Sequence, residues 1–382
     1  MISSLPFLFG TTCFGPRQHL VEPENISHTA GKSKVPAIAV DQRGKVFVTW
    51  EDYSIGDDEV LLTTKTPGDT WSTPVNVSQN AYDSRAPSIA IDSRDRLHMA
   101  WQQSIQRGHS EPWVIFCTWQ DPGDTWAIPD TIDPPGMNGI PSIAVDSGGT
   151  IVNLFWNCVF STDAGYTCYA RKLMEGGWQD FVEFPYVESL YPFESHTCVD
   201  RKGVFHVVQA LGQNVYYQQR SPDVGWSERL KLSHGPSEIG ASEPSLAISR
   251  DGSLHVVWTD NDSTRKGFGY CRRTPAGNWM PVEAPFAKTW KRWGWQVNYL
   301  RAYAAVLSDD RLCVLLSDGI EMEYVVRSEA GVWSDPVIVA NAYLGWHPCA
   351  VAGSPNGRVC VAYEHEDAVQ DKTEIYYFEF EP

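Results

Sequence analysis

The chain of 382 residues is poor in positive charge, with 30 lysines and arginines against 47 aspartates and glutamates and a formal net charge of −17. Nucleic acids and anionic membrane surfaces attract proteins through positive potential, so this balance argues against both as general partners. No run of about eighteen apolar residues occurs, which predicts that nothing spans a membrane. The first ten residues are apolar but have no basic n-region, so they make a poor signal peptide.

Several signatures of chemistry are also absent. The sequence has no P-loop, no Gly-rich dinucleotide turn and no Gly-x-Ser-x-Gly elbow. Its nine cysteines show no zinc spacing, and Cys117, Cys168 and Cys271 recur at one position of a repeat, as buried small hydrophobes do. Unpaired thiols in odd number favour a reducing, cytoplasmic compartment, although a secreted chain without its leader would look the same. We expect no cofactor; acidic loops at 51–59, 260–262 and 364–367 leave a structural Ca²⁺ as the alternative.

What the sequence does have is a repeat of about fifty residues. Each copy begins with a short apolar strand, a turn of Gly, Asn or Asp, and a second strand that is apolar on both faces, as in a sheet buried between two others. A third strand, a tryptophan at a fixed position and a short outer strand follow. The first strands of the seven copies begin at Pro36, Pro87, Pro141, His196, Pro244, Ala302 and Pro348.

This repeat predicts an all-β fold, a single seven-bladed β-propeller of four-stranded antiparallel blades spanning residues 1–382. The last copy stops at Phe380 without an outer strand, whereas Val21–Ser27 resembles the outer strand Ser72–Ser78. Residues 18–27 are therefore predicted to complete the last blade and close the ring. The approximate blades are 36–80, 87–133, 141–187, 195–233, 244–285, 301–340 and 348–380 plus 18–27.

The turns before the tryptophans resemble the Asp box (BNR repeat) of the sialidase-like propellers, Ser-x-Asp-x-Gly-x-Thr-Trp. Asp121-Pro-Gly-Asp-Thr-Trp126 matches its second half, and Thr64–Trp71 matches without the aspartate. Sialidases also carry an Arg-Ile-Pro motif that begins an inner strand, and its arginine binds the substrate carboxylate. Lys34-Val-Pro and Arg85-Ala-Pro are similar in position. The resemblance thus implies a carbohydrate-active propeller with Lys34 and Arg85 as substrate-binding residues.

Loops that enter the inner strands or leave the second strands should meet at one mouth of the central channel. Within them, the segment 288–301 gathers aromatic rings that could stack on sugars and cations that could bind carboxylates or sulfates. The alternative is a long loop that plugs the channel. Further substrate-binding residues are predicted to be Trp290, Arg292, Trp293, Trp295, Arg301 and Trp346.

Acidic, histidine and tyrosine side chains at the same mouth are the candidates for general acid and base catalysis. Each of them could instead line a watery channel or cap a strand end. The catalytic candidates are Glu194, Glu243, Asp260, Tyr299, His347, Glu364 and His365. His98, His206 and His255 recur at one second-strand position, which indicates a structural role.

Together these features favour a glycosidase or polysaccharide lyase acting on a glycan with an acidic group. The predicted partner is an acidic oligosaccharide or polysaccharide, bound by a monomer. The competing hypothesis is a non-catalytic glycan-binding lectin or protein-interaction scaffold, because propellers host both. The mouth loops differ from blade to blade, which favours one asymmetric site.

Overall fold

The computed structural model describes residues 17–382 except 19, 54–55, 107–112, 124, 134–136, 162–163, 186–191, 234–240, 261–266, 286–300, 320, 342–348 and 368–371. This part of the chain is all-β. Seven antiparallel sheets follow one another along the sequence, and their first strands all border one central cavity. Within these residues no helix is long and apolar enough to cross a membrane. The seven-bladed β-propeller predicted from the repeat is confirmed.

The strands are numbered in chain order and fall into four concentric groups. The inner strands are β3 (Ser33–Val40), β7 (Ser84–Ile91), β11 (Met137–Val145), β15 (Pro192–Val199), β20 (Ala241–Ile248), β23 (Arg301–Val306) and β27 (Ala350–Gly353). The second strands are β4 (Val46–Asp52), β8 (Leu97–Ser104), β12 (Ile151–Ser161), β16 (Phe205–Leu211), β21 (Leu254–Asp260), β24 (Leu312–Ser317) and β28 (Val359–Asp367).

The third strands are β5 (Glu59–Lys65), β9 (Trp113–Gln120), β13 (Ala164–Leu173), β17 (Asn214–Ser221), β22 (Gly267–Arg273), β25 (Glu321–Arg327) and β29 (Lys372–Phe380). The outer strands are β6 (Val75–Asn76), β10 (Asp130–Ile132), β14 (Trp178–Pro185), β18 (Gly225–Trp226) with β19 (Leu230–Lys231), β26 (Val337–Asn341) and, in the last blade, β2 (Glu24–Asn25). In the fifth blade the outer strand is reduced to a bridge between Glu283 and Tyr270, because Pro281 and Pro285 beside it lack the N–H groups that a ladder needs.

The turn between the first two strands is held by an aspartate that directly follows the inner strand. Asp41 Oδ1 accepts the backbone N–H groups of Arg43 and Lys45, both at 2.8 Å. Asp92 and Asp200 accept the corresponding pairs in their own blades. Because an aspartate satisfies two turn amides, this residue often follows the inner strand.

Tryptophans of the second strands fill the space between neighbouring blades. Trp50, Trp101, Trp156 and Trp258 are among the largest fully buried side chains. Trp50 packs against residues of the last blade, and its indole N–H donates to Asp52 Oδ2 at 3.0 Å. A buried indole needs such an acceptor, and the residue two places further along the strand supplies it.

Cysteines and histidines also follow the repeat. Cys117, Cys168 and Cys271 lie buried in third strands, and eight free cysteines are found among the described residues. Burial raises the pKa of Cys117 to about 12. His206 and His255 hydrogen-bond through Nδ1 to the hydroxyls of third-strand tyrosines at 2.8 and 2.9 Å. Their buried, repeated contacts support the structural role predicted for these histidines.

The N-terminal segment closes the ring as predicted, but only Glu24–Ser27 of the predicted 18–27 bond to the last blade, whereas Gln18 and Val21 bond to β26 of the sixth. Glu24 pairs with Tyr377 and Asn25 with Tyr376, and the Ile26 N–H donates to Ile375 O at 2.9 Å. Val77 makes the same bond to Val60 in the first blade, at 2.8 Å. One addition was not predicted, since two residues give no periodicity. The segment β1 (Arg17–Gln18) pairs in parallel with β26 as a fifth strand of the sixth blade.

Glu24 ties the closing strand to the first blade. Its Oε2 accepts the Trp71 indole N–H at 3.1 Å and lies 3.3 Å from Lys65 Nζ. We expect Glu24→Gln to lower the free energy of unfolding by up to about 1 kcal/mol, because Glu24 is half-exposed and its ion pair is screened by solvent. Urea unfolding measures this, with the exposed Glu22→Gln as a control of equal charge change. Equal stabilities of the two variants would contradict the role of Glu24.

Candidate functional site

The central channel holds a cavity of about 770 Å³. All seven inner strands contribute to its wall. Each strand supplies one residue at the same register position of its pairing with the second strand, and these seven residues form a ring around the cavity. The ring consists of Ala37, Ser88, Ser142, His196, Ser245, Tyr303 and Ala350. Five of the seven side chains are small, so the cavity is open between the blades rather than filled.

The first two blades give the mouth of the cavity a charged wall. Lys34 lies opposite Glu51 in the register of the first hairpin, and both border the cavity. Glu51 Oε2 accepts the Ala86 backbone N–H of the next blade at 3.0 Å. Burial raises the pKa of Glu51, nearby Asp58 adds to the rise, and the charges of Arg85 and Lys34 oppose it. The wall therefore holds a carboxyl group that takes up a proton more readily than usual, beside a cation.

Arg85 belongs to the same wall, but two carboxylates already hold its guanidinium. Nε contacts Asp58, and Nη2 lies 3.1 Å from Asp83 Oδ2. The guanidinium also lies over the Trp113 ring, 5.2 Å from its centroid. Burial raises the pKa of Asp58, although Arg85 opposes the rise. The charge predicted to bind a substrate carboxylate is thus largely neutralised by the protein itself.

Glu364 occupies in the last blade the position that Glu51 occupies in the first. It accepts the Val35 backbone N–H, and its charge interacts with Lys34. Val35 and Ala86, the residues whose amides these carboxylates hold, have φ values of +50° and +49° and form bulges in their inner strands. Burial raises the pKa of Glu364 to about 7. Glu364 is buried and is not among the residues that border the cavity.

Glu243 and Arg301 form a second charged pair at the seam of the fifth and sixth blades. Arg301 Nε lies 3.1 Å from Glu243 Oε1, and the two side chains are 16% and 21% exposed. Burial raises the pKa of Glu243, while Arg301 opposes the rise. Each lies two residues before a member of the cavity ring, Ser245 or Tyr303, on the same inner strand. The structure thus brings these two predicted site residues together.

Asp260 and His365 lie elsewhere in their blades. Asp260 pairs with Ala241 at the register position that Asp52 and Ser33 occupy in the first blade. In that blade, Asp52 Oδ2 accepts the Ser33 hydroxyl at 2.7 Å. This is a structural position of the repeat. His365 follows Glu364 on one strand and points to the opposite face, where its ring centroid lies 4.7 Å from that of Tyr376. Burial lowers the pKa of His365, opposed by Asp367.

The other predicted site residues are not placed by the described structure. Glu194 belongs to β15, but its side chain lies outside the described residues. Those wholly outside them, which stay predictions, are Trp290, Arg292, Trp293, Trp295, Tyr299, Trp346 and His347. In the part of the chain that is described, no three His, Cys, Asp or Glu side chains are grouped as for a metal ion.

Sequence reasoning missed Glu51 as a member of the site. The signal was present, because Glu51 directly follows the buried Trp50 and so faces Lys34 once the hairpin is drawn. Gln102 faces Arg85 in the second blade by the same rule and also borders the cavity. Residues opposite the predicted cations are thus the first place to look for their chemical partners.

No protein-family model and no curated protein matches the sequence. Solved structures do match in three dimensions. A PL25 ulvan lyase bound to -[GlcA(1-4)Rha3S]- has 11% identity and a TM-score of 0.57 over 94% of this chain and 96% of that one. The polysaccharide lyase Uly1 has 12% identity and a TM-score of 0.57 over 98% and 94%. A point mutant of the NanB sialidase of Streptococcus pneumoniae has 12% identity and a TM-score of 0.51 over 96% and 71%. At these identities the likeness establishes the fold: the protein is a seven-bladed β-propeller of the kind found in these sialidases and polysaccharide lyases.

Proposed function

We propose that the protein is a polysaccharide lyase that binds an acidic glycan at the mouth lined by Lys34 and Glu51. The observation that carries this proposal is the difference between the two cations of the wall. Asp58 and Asp83 hold Arg85, whereas Lys34 interacts at longer range with Glu51, Asp58 and Glu364 and makes no salt bridge with any described residue. Lys34 is therefore the cation able to take a carboxylate or sulfate from a ligand.

The pairing of Lys34 with Glu51 suits elimination next to a uronic carboxylate. Lys34 would neutralise that carboxylate, which acidifies the C5–H bond beside it. Glu51, whose pKa is raised, is a stronger base than an ordinary glutamate and would take this proton. The C4–O bond then breaks, the leaving oxygen gains a proton, and the new chain end carries a C4–C5 double bond.

A glycosidase is the second candidate, because two carboxyl groups with raised pKa, Glu51 and Asp58, line the same wall. Glycoside hydrolysis uses a pair of carboxyl groups whose environments hold them in different protonation states. Arg85 argues against a catalytic role of Asp58 in hydrolysis, because its guanidinium contacts that carboxylate directly. The polysaccharide lyases of similar structure, one of them bound to a glucuronate-containing sugar, support the lyase proposal by analogy of fold.

A panel of acidic polysaccharides tests the proposal. We expect at least one of them to yield the ultraviolet absorbance of unsaturated uronates together with new reducing ends. Reducing ends without that absorbance would replace the lyase by the glycosidase. Retention on an immobilised polysaccharide without cleavage would make the protein a lectin, and neither cleavage nor retention would remove the acidic glycan altogether.

A further inference from the structure

The fourth blade differs from the other six at two positions that face each other across its first hairpin. Ser195 directly precedes the ring residue His196, and it pairs with Gln209 on the second strand. The residues at the position of Ser195 in the other blades are Pro36, Pro87, Pro141, Pro244, Ala302 and Cys349, and those at the position of Gln209 are Trp50, Trp101, Trp156, Trp258, Leu316 and Tyr363. The fourth blade alone has a serine and a glutamine where the others have these mostly apolar side chains.

The polar groups at this seam are buried without partners. Gln209 is 1% exposed, and neither its Oε1 nor its Nε2 has a hydrogen-bond partner among the described residues. Within the same residues, Ser195 Oγ and the hydroxyl of Thr167 in the third blade are also buried and unpaired. Thr167 lies two residues from Tyr169, which packs in one cluster with Val207, and Gln209 follows two residues later on the same face. Unpaired buried polar groups lower stability, so their concentration in one seam points to a ligand.

His196 and Ser195 open this seam to the central cavity, three blades from Lys34 and so on the far side of the channel. The other large ring residue, Tyr303, uses its hydroxyl to accept the Cys349 N–H at 3.1 Å. His196 makes no hydrogen bond or salt bridge with any described residue, and its surface is exposed to the cavity. Burial deep in the channel lowers the pKa of His196 to about 4. Its imidazole is therefore neutral near pH 7, with one N–H donor and one acceptor nitrogen.

The chemistry of this wall selects an uncharged ligand. A neutral imidazole, a hydroxyl and an amide offer donors and acceptors but no charge, and no charged group perturbs the pKa of His196. A carboxylate or sulfate would find no cation here, whereas a ligand hydroxyl, which both donates and accepts, matches each of these groups. The cavity of about 770 Å³ is large enough for a ligand that reaches both this wall and Lys34.

We propose that His196 and Ser195 bind an uncharged, hydroxyl-bearing sugar unit inside the channel, across from the acidic unit at Lys34. Gln209 and Thr167 lie behind them and complete the hydrogen bonds of a ligand hydroxyl, or of a water that it brings. The substrate then contains neutral sugars as well as acidic ones. This inference rests on the proposed function for the acidic unit, but the wall binds neutral sugars whether or not any polymer is cleaved.

Neutral methyl glycosides test this site without reference to catalysis. The probes are the methyl glycosides of glucose, galactose, mannose, xylose and rhamnose, added to the full chain labelled with isotope-enriched histidine. We expect at least one of them to shift the imidazole NMR signals of His196, which are identified by their absence from His196→Phe. The affinity of the best probe, measured by saturation-transfer NMR, should be unchanged in Lys34→Met.

Two substitutions of His196 separate its hydrogen bonds from its volume. His196→Phe keeps a ring but has neither donor nor acceptor, so it should weaken the best probe by about tenfold or more. His196→Asn keeps one donor and one acceptor and should retain more affinity than His196→Phe. If His196→Phe does not fold, Ser195→Ala is expected to give the same loss.

Gln209→Met separates binding from folding. Methionine removes the unpaired amide from a buried position, so the urea midpoint should rise while the affinity for the best probe falls about tenfold. The matched control is Gln218→Met, in the third strand of the same blade. Gln218 is also buried, but its Nε2 donates to Ser227 O at 3.2 Å. In this control the urea midpoint should fall, and probe binding should stay as in the wild type.

Three results would overturn the site: no probe that shifts the His196 signals, wild-type affinity in His196→Phe, or equal effects of Gln209→Met and Gln218→Met on stability and binding. Failure of the proposed function looks different. It is a wild type that cleaves no acidic polymer, or a Lys34→Met variant that cleaves as fast as the wild type, and neither result bears on the affinity for neutral glycosides.

Discussion

Glu364→Gln is expected to stabilise the protein above neutral pH and to leave its stability unchanged in acid. The pKa of Glu364 is raised from 4.5 to about 7 by burial. The folded state therefore prefers the protonated form, and the contribution of this group to stability falls as the pH rises from 4.5 through 7. The difference between the two pKa values corresponds to about 3 kcal/mol above pH 8, and glutamine, which mimics the protonated acid, removes this cost.

Urea unfolding of both proteins between pH 4 and pH 9 measures the effect. The control is Glu366→Gln, two residues along the same strand, where the side chain is exposed. Glutamine at 364 keeps a carbonyl oxygen for the Val35 N–H, so the seam between the last and first blades stays bonded. Equal stability curves for Glu364→Gln and the wild type would show that Glu364 is ionised in the folded protein and that Lys34 outweighs its burial.

Most of the fold was readable from the sequence because each blade repeats the same contacts. Proline, aspartate and tryptophan recur at fixed steps, and each has a local cause, such as the two turn amides that Asp41 accepts. Ring closure was readable too, since Val21–Ser27 copies an outer strand and Ile26 makes the bond that Val77 makes. The strand at Arg17–Gln18 was not readable, because its pairing with β26 depends on where the closing segment passes.

The location of the site could be predicted from the sequence, but the ion pairing of its charged side chains could not. The sequence put Arg85 at the mouth, yet only folding brings Asp58 from the preceding blade onto its guanidinium. Glu364 and Glu51 occupy the same position of the repeat in the sequence. The exposed fraction of each side chain depends on the strands that pack around it in the folded protein. Asp260 could have been recognised, because Trp258-Thr-Asp260 repeats Trp50-Glu-Asp52, in which the acid accepts the indole N–H.

Glu51→Gln and Lys34→Met should each abolish most of the proposed lyase activity. Removing a positioned general base costs about 10²- to 10⁴-fold in rate, and removing the cation that stabilises the developing charge costs about 10²- to 10³-fold. Glutamine keeps an acceptor for the Ala86 N–H, so the fold should survive. Initial rates of double-bond formation measure both effects. The control for Lys34→Met is Lys45→Met. Lys45 lies in the turn between β3 and β4, at the other end of the same hairpin, and its Nζ is 4.9 Å from the Phe47 ring centroid.

The double variant decides whether the two residues act in one step. In the proposed mechanism, proton abstraction by Glu51 depends on the acidity that Lys34 gives to the C5–H bond. The two losses should therefore not add, and the double variant should be about as slow as the slower single variant. If the losses multiply instead, Lys34 and Glu51 act in separate steps. A Glu51→Gln variant within tenfold of the wild-type rate would exclude Glu51 as the base and shift the chemistry to another wall of the channel mouth.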